Sequence, residues 1–215
     1  MTARLGGLVI DADDPEVVAY FWAQVLGGTL DTMVDGVEVR VPGLKCGLRF
    51  LARSGPKRAK NRVHPDIYVR SVEPLIALGA VVLADYPPDR MTLSDVGGNE
   101  FCAFLDPVRA GEVTTGRMFA VCTDSDRPEV LARWWARQVA ARIGPGTDGT
   151  PRWLYDCAGW PELIWKFVRV TDARVSPNRC RWTVHGDRVR LLEAGATADL
   201  GGWLRDPQGN EFELR

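Results

Sequence analysis

The 215 residues carry 27 lysines and arginines against 28 aspartates and glutamates, with 46% hydrophobic and 26% charged positions. That near-neutral balance excludes the basic footprint of a nucleic-acid or anionic-membrane binder and fits an ordinary globular chain of one or two domains. Five scattered cysteines lack a Cys-x-x-Cys spacing, and no apolar run could span a bilayer or direct export, which points to a soluble protein of the reducing cytoplasm.

Leu5–Asp11 reads as the first strand. Asp13 or Asp14 then caps a helix over Pro15–Leu26, with Pro15 in the first turn, where a missing N–H costs nothing. Val18, Phe21, Trp22, Val25 and Leu26 make one apolar face, and Gly27-Gly28 ends the helix. Strands around Thr29–Met33, Val37–Val41 and Gly47–Leu51 complete a βαβββ unit. After a basic loop (Lys57, Arg58, Lys60, Arg62) comes the strand Val63–Val69, whose alternation places His64, Asp66 and Tyr68 on one face. A short helix to Leu78 and strands near Val81–Ala84, Met91–Ser94 and Glu100–Phe104 form a second unit. The linker reading covers 109–116. A strand near Arg117–Thr123 and a helix over Pro128–Val139, carrying Leu131, Trp134 and Trp135, then repeat the opening.

The repeat is explicit. Asp95-Val96-Gly97-Gly98-Asn99-Glu100-Phe101 returns as Asp206-Pro207-Gln208-Gly209-Asn210-Glu211-Phe212. Pro15-Glu16-Val17 returns at Pro128, Asn61-Arg62 at Asn178, and Leu78-Gly79-Ala80 as Ala194-Gly195-Ala196, all at offsets between 111 and 117 residues. Landmarks in one order at nearly constant offset mean an internal duplication, so the chain divides into domains over 1–108 and 117–215.

The stretch Asp11-Ala12-Asp13-Asp14-Pro15 running into Tyr20-Phe21-Trp22 and Leu26-Gly27 resembles the opening of a glyoxalase-like domain. Lys60–Asp66, Leu78-Gly79-Ala80 and Gly98–Cys102 are similar to its later landmarks. That domain belongs to the vicinal oxygen chelate superfamily, which includes glyoxalase I, extradiol dioxygenases, fosfomycin-resistance enzymes and bleomycin-binding proteins. The resemblance implies an α+β fold of two tandem glyoxalase-like domains, each built from two βαβββ modules with curved sheets enclosing a cleft. It does not fix the reaction, because one scaffold hosts many chemistries.

Catalytic members of that superfamily hold a divalent metal on side chains of the first strand, the strand opening the second module and the terminal strand. By that resemblance the first half offers Gly6 or Gly7, His64 and Cys102, and the second offers Met118 or Phe119, Arg181 and Glu213. Neither set is complete, and an arginine repels a cation. The expectation is therefore no cofactor, with a divalent metal as the alternative. His64 and Asp66 are the candidate catalytic pair: the carboxylate raises the imidazole pKa, so the pair can move a proton on a ligand, although the same pair also fits a hydrogen-bonded structural role. Tyr68, Cys102, Arg181 and Glu213 join as candidate ligand-binding residues. Seven of the eight tryptophans lie beyond residue 130, and Trp153, Trp165 or Trp182 could supply an aromatic wall. The functional expectation is a small-molecule binding protein or a metal-independent enzyme. A metal-dependent lyase, isomerase or dioxygenase is the alternative, and a structural or regulatory protein without a ligand is a third class. The partner expected is a small molecule, not nucleic acid or membrane, and the oligomeric state stays open.

Overall fold

In the computed structural model, residues 2–53, 57–110, 114–175, 177–199 and 202–215 are described. Four short modules follow one another. The first comprises β1 (Arg4–Ala12), α1 (Pro15–Leu26), β2 (Thr29–Met33), β3 (Gly36–Arg40) and β4 (Leu48–Ala52). The second comprises β5 (Val63–Val69), α2 (Glu73–Ala77), β6 (Val81–Tyr86), β7 (Arg90–Ser94) and β8 (Glu100–Leu105). A helical turn, α3 (Pro107–Ala110), starts the expected linker, whose residues 111–113 lie outside the described residues. The third module is β9 (Gly116–Ser125), α4 (Pro128–Gln138), β10 (Arg142–Pro145), β11 (Pro151–Tyr155) and β12 (Ile164–Arg169). The fourth is β13 (Cys180–His185), α5 (Arg188–Glu193), β14 (Thr197–Ala198), β15 (Leu204–Arg205) and β16 (Glu211–Leu214).

Each module pairs its first strand parallel to its last, with antiparallel neighbours beyond. Two eight-stranded sheets result, in the orders β14-β15-β16-β13-β1-β4-β3-β2 and β10-β11-β12-β9-β5-β8-β7-β6. The first sheet joins module one to module four through an antiparallel β1–β13 seam, and the second joins modules two and three through β5–β9. Both sheets thus cross the duplication. Grouping candidate ligands by half is overturned on this point: Gly6 and Gly7 lie on a different sheet from His64 and Cys102.

Alternation assigns the faces. Leu8, Ile10, Trp182 and Val184 of one sheet, and Val63, Ile67, Phe101, Val121, Trp165 and Phe167 of the other, enter a common core with α1 and α4. Trp165 and Trp182 lie 4.9 Å apart across the two sheets, and Trp22 packs on Phe101 at 5.2 Å. The α1 N-terminus is capped by Asp14, whose Oδ1 accepts from Val17 N, and Gly27 ends it in the left-handed conformation at φ 63°.

The repeated Asp-x-x-Gly-Asn-Glu turns lock these helices to the modules that follow. Asp95 Oδ1 accepts from the Gly97 and Asn99 amides while its Oδ2 accepts from Trp22 Nε1 at 2.9 Å. Asp206 does the same for Gln208, Asn210 and Trp135. Gly98 and Gly209 take φ of 76° and 83°, which a side chain rarely adopts. Glu100 and Glu211 accept from the backbone amides of Asn61 and Asn178 and pair with Lys57 and Arg174. Arg62 donates to the Asp172 carbonyl and Arg179 to Asp13. The duplicated residues therefore build the scaffold.

Candidate functional site

The face of the second sheet turned away from the core carries charged side chains that are compensated from strand to strand. His64 and Asp66 lie two residues apart on β5. The antiparallel register sets Cys122 of β9 opposite His64, the parallel β5–β8 register sets Cys102 beside Asp66, and the β9–β12 register sets Lys166 beside Cys122. Four strands from both halves so converge on a cavity of about 170 Å³, whose walls include His64, Asp66, Cys102, Cys122, Phe104 and Asp124.

His64 Nδ1 stands 3.4 Å from Asp66 Oδ1. The other carboxylate oxygen, Oδ2, accepts from Lys166 Nζ at 3.0 Å and from the Cys122 thiol at 3.3 Å. Asp66 and Lys166 are both buried, their side chains 1% and 8% exposed. Three rings surround the ammonium: Phe119 at 4.3 Å, Phe104 at 4.9 Å and Trp153 at 5.2 Å from their centroids. Cation–π attraction offsets part of its lost hydration. Burial opposes charge on His64, but Asp66 and then Asp124 outweigh it and raise the imidazole pKa above its ordinary 6.5. Burial likewise pushes Asp66 up, yet His64 and Lys166 hold it below the ordinary carboxylate value. His64 and Lys166 thus flank one carboxylate, each facing a different oxygen. Lys60 pairs with Asp124 at the rim, 2.8 Å away.

The cysteines are thiols. Burial, then Asp66, pushes Cys102 up to about 12, and Cys122 also lies well above its ordinary value for the same causes. Cys102 Sγ contacts Thr92 Oγ1 at 3.6 Å. Neither has the thiolate character that nucleophilic attack demands.

The remaining sequence candidates scatter. Tyr68 sits outside the cavity wall: a bulge at Phe119 turns that ring onto Tyr68, stacked at 3.8 Å. Trp165 is corrected from ligand wall to core, with Nε1 donating to Thr123 Oγ1 at 2.8 Å, and Trp182 is buried beside it. The reason is alternation: once Lys166 and Arg181 face the clefts, their neighbours face the interior. Trp153 stands by Lys166. Arg181 and Glu213 belong to the other sheet, where Glu213 accepts from Arg49 at 3.4 Å and Thr183 at 3.2 Å, so His64 and Glu213 do not meet. Sequence reasoning missed Lys166 and Cys122. Alternation within Trp165-Lys166-Phe167, a cation between two core aromatics, was the available signal.

Among the described residues, His64, Asp66 and Cys122 offer donor atoms within 4.8 Å of one another, a spacing open to a metal ion. His64 Nδ1 and Asp66 Oδ1 are buried without a hydrogen-bond partner. Against that, Lys166 holds an ammonium on the same carboxylate, and the facing thiol is protonated. The donors suit a divalent ion by type, but the resident cation occupies their charge, and the set does not fit one as it stands.

The Glyoxalase-like domain family matches residues 7–104 and 120–215. No curated protein sequence matches the chain. Among solved structures, glyoxalase I from Zea mays is similar at a TM-score of 0.63 and 11% identity, covering 99% of this chain and 92% of that one. A putative dioxygenase from Bacillus subtilis is similar at 0.64 and 11% identity, covering 99% and 84%. At such identities the likeness is one of fold. No helix among the described residues is long and apolar enough to cross a membrane.

Proposed function

Since the chain belongs to the glyoxalase-like domain family, we propose that it handles a small molecule in the His64 cleft, as a binding protein or as an enzyme that works without a divalent metal. The buried Lys166–Asp66 contact carries this reading: the ammonium lies 3.0 Å from the carboxylate that, with His64 and Cys122, could otherwise serve a metal ion. Asp66 Oδ1 faces the Nδ1 side of the His64 ring at 3.4 Å and favours its charged form. That leaves the Nε2–H for the cavity, where it can donate to a ligand oxygen and act as a general acid when negative charge develops there. Lys166 adds positive potential close by. Cys102 and Cys122 shape the wall as small, uncharged groups.

The metal-dependent alternative (a lyase, isomerase or dioxygenase) has two observations in its favour, the close spacing of the His64, Asp66 and Cys122 donors and the orphaned Nδ1 and Oδ1 atoms. Equilibrium dialysis against zinc and nickel separates the two. Wild type should retain no stoichiometric metal, whereas Lys166→Met, which frees Asp66, should gain affinity. Stoichiometric retention by wild type, lost in His64→Ala, would overturn the metal-free reading. A thermal-stabilisation screen of small oxygen-bearing compounds then identifies the ligand class, since native-state ligands raise Tm by mass action. For any hit, His64→Ala should weaken affinity or turnover far more than stability.

A further inference from the structure

The first sheet has a cleft of its own, and its chemistry differs. A cavity of about 470 Å³ opens on β1, β4, β13 and β15, with Arg53, Arg181 and Arg205 on its polar side and Leu51, Pro177 and Trp203 on its apolar side. Both oxygens of buried Asp11 are engaged: Oδ1 lies 2.7 Å from Arg181 Nη1, and Oδ2 accepts from Arg53 Nη1 at 2.9 Å. Glu211 is held through Oε2, by Arg174 and by the Asn178 amide at 3.2 Å, and Asp199, the third acid of the wall, lies 3.5 Å from Arg205 Nη2 and accepts from the Trp203 amide at 3.0 Å. The acids at the wall are thus committed to cations, while N–H groups of the arginines are left over. Arg181 is 6% exposed, and its Nε is buried with no hydrogen-bond partner. Arg205 Nε also lacks one: Glu211 Oε1 stands 3.7 Å from it, and the Asp199 carboxylate is approached by Nη2 instead. The Arg181 guanidinium lies 4.2 Å from the centroid of the half-buried Trp203 ring.

We infer that this cleft is a second ligand site, separate from the His64 cavity, and that it takes a carboxylate carried on a planar apolar body. Buried guanidinium N–H groups without acceptors are costly to leave unpaired, and a carboxylate is the acceptor that matches their fork. The flat body lies against Trp203 and Leu51, the combination of apolar wall and few convergent polar groups that small-molecule sites share. Arg181 and Trp203 come from the fourth module, and Arg53 and Leu51 from the first, so the site exists only once β1 and β13 have paired.

The test uses a naphthalene carboxylate, its neutral primary amide and acetate as probes, with binding followed by calorimetry on the full chain. The carboxylate should bind saturably, and the amide and acetate at least about ten-fold more weakly, because one lacks the charge and the other the body. Trp203→Leu and Arg181→Lys should each weaken the carboxylate by about ten-fold or more, and His64→Ala should leave it unchanged. Trp203→Leu changes a half-exposed side chain, so that arm remains readable if Arg181→Lys folds poorly. Equal binding of acid and amide would overturn the proposal, as would unchanged affinity in Trp203→Leu, loss of binding in His64→Ala, or no saturation by about 10 mM carboxylate.

Discussion

Lys166→Met puts the charge arrangement of the His64 cleft to a quantitative test. The substitution keeps the length and apolar stem, so the contacts with Phe104, Phe119 and Trp153 survive in kind. What disappears is the ammonium 3.0 Å from Asp66 Oδ2, in a pair whose side chains are 8% and 1% exposed. Removing one partner of a buried pair costs about 3–5 kcal/mol, since the other charge stays behind without compensation. His64, 3.4 Å from the other carboxylate oxygen, remains as a partner and moves the expectation to the lower end, about 3 kcal/mol. For a chain of this size that is a fall in Tm of roughly 6–12 °C by scanning calorimetry near neutral pH. The double variant Lys166→Met with Asp66→Asn removes both charges, and should recover at least about 1 kcal/mol relative to the single variant. A loss below about 1 kcal/mol in Lys166→Met, or a double variant no more stable than the single, would refute the claim that the ammonium neutralises Asp66.

The His64–Asp66 pair should also set a pH dependence. A raised folded-state pKa for His64 means that its stabilisation is complete below the unfolded value of 6.5 and is lost as pH rises through the folded value. Asp66, whose folded pKa is lowered, contributes above its ordinary 3.8 and loses that contribution as pH falls through the folded value. The Tm advantage of wild type over His64→Gln should therefore shrink as pH is raised above 6.5 and through the folded-state value, and a widening gap would contradict the assignment. In the scaffold, Asp206→Asn turns an amide toward donors on one side or the other, because Oδ2 accepts from Trp135 Nε1 and Asn210 Nδ2 and Oδ1 accepts from two backbone amides. It should cost about 1.5–3 kcal/mol in a urea titration, and an unchanged midpoint would show that the turn does not hold α4.

Much of this protein was legible in the chain itself. Duplication, the bounds of α1 and most strands, and the placement of His64 and Asp66 on one face all follow from local rules: capping, glycine punctuation, and the two-residue period of a strand. Those rules act within a few residues, so the sequence states them directly. The same period carried the information that Trp165 and Trp182 are interior, once it was known that Lys166 and Arg181 face outward. Which face is outward was not local. It depends on which module meets which, and every module presents a first strand of similar make. Pairing of β1 with β13 and β5 with β9 across the duplication was decided by the tertiary structure. That choice put Cys122 and Lys166 against His64 and Asp66, and Arg181 against Asp11, contacts spanning from 56 to 100 residues and more along the chain. Their physical basis is the matching of buried charges between strands, a property of the assembled sheet that no single stretch contains.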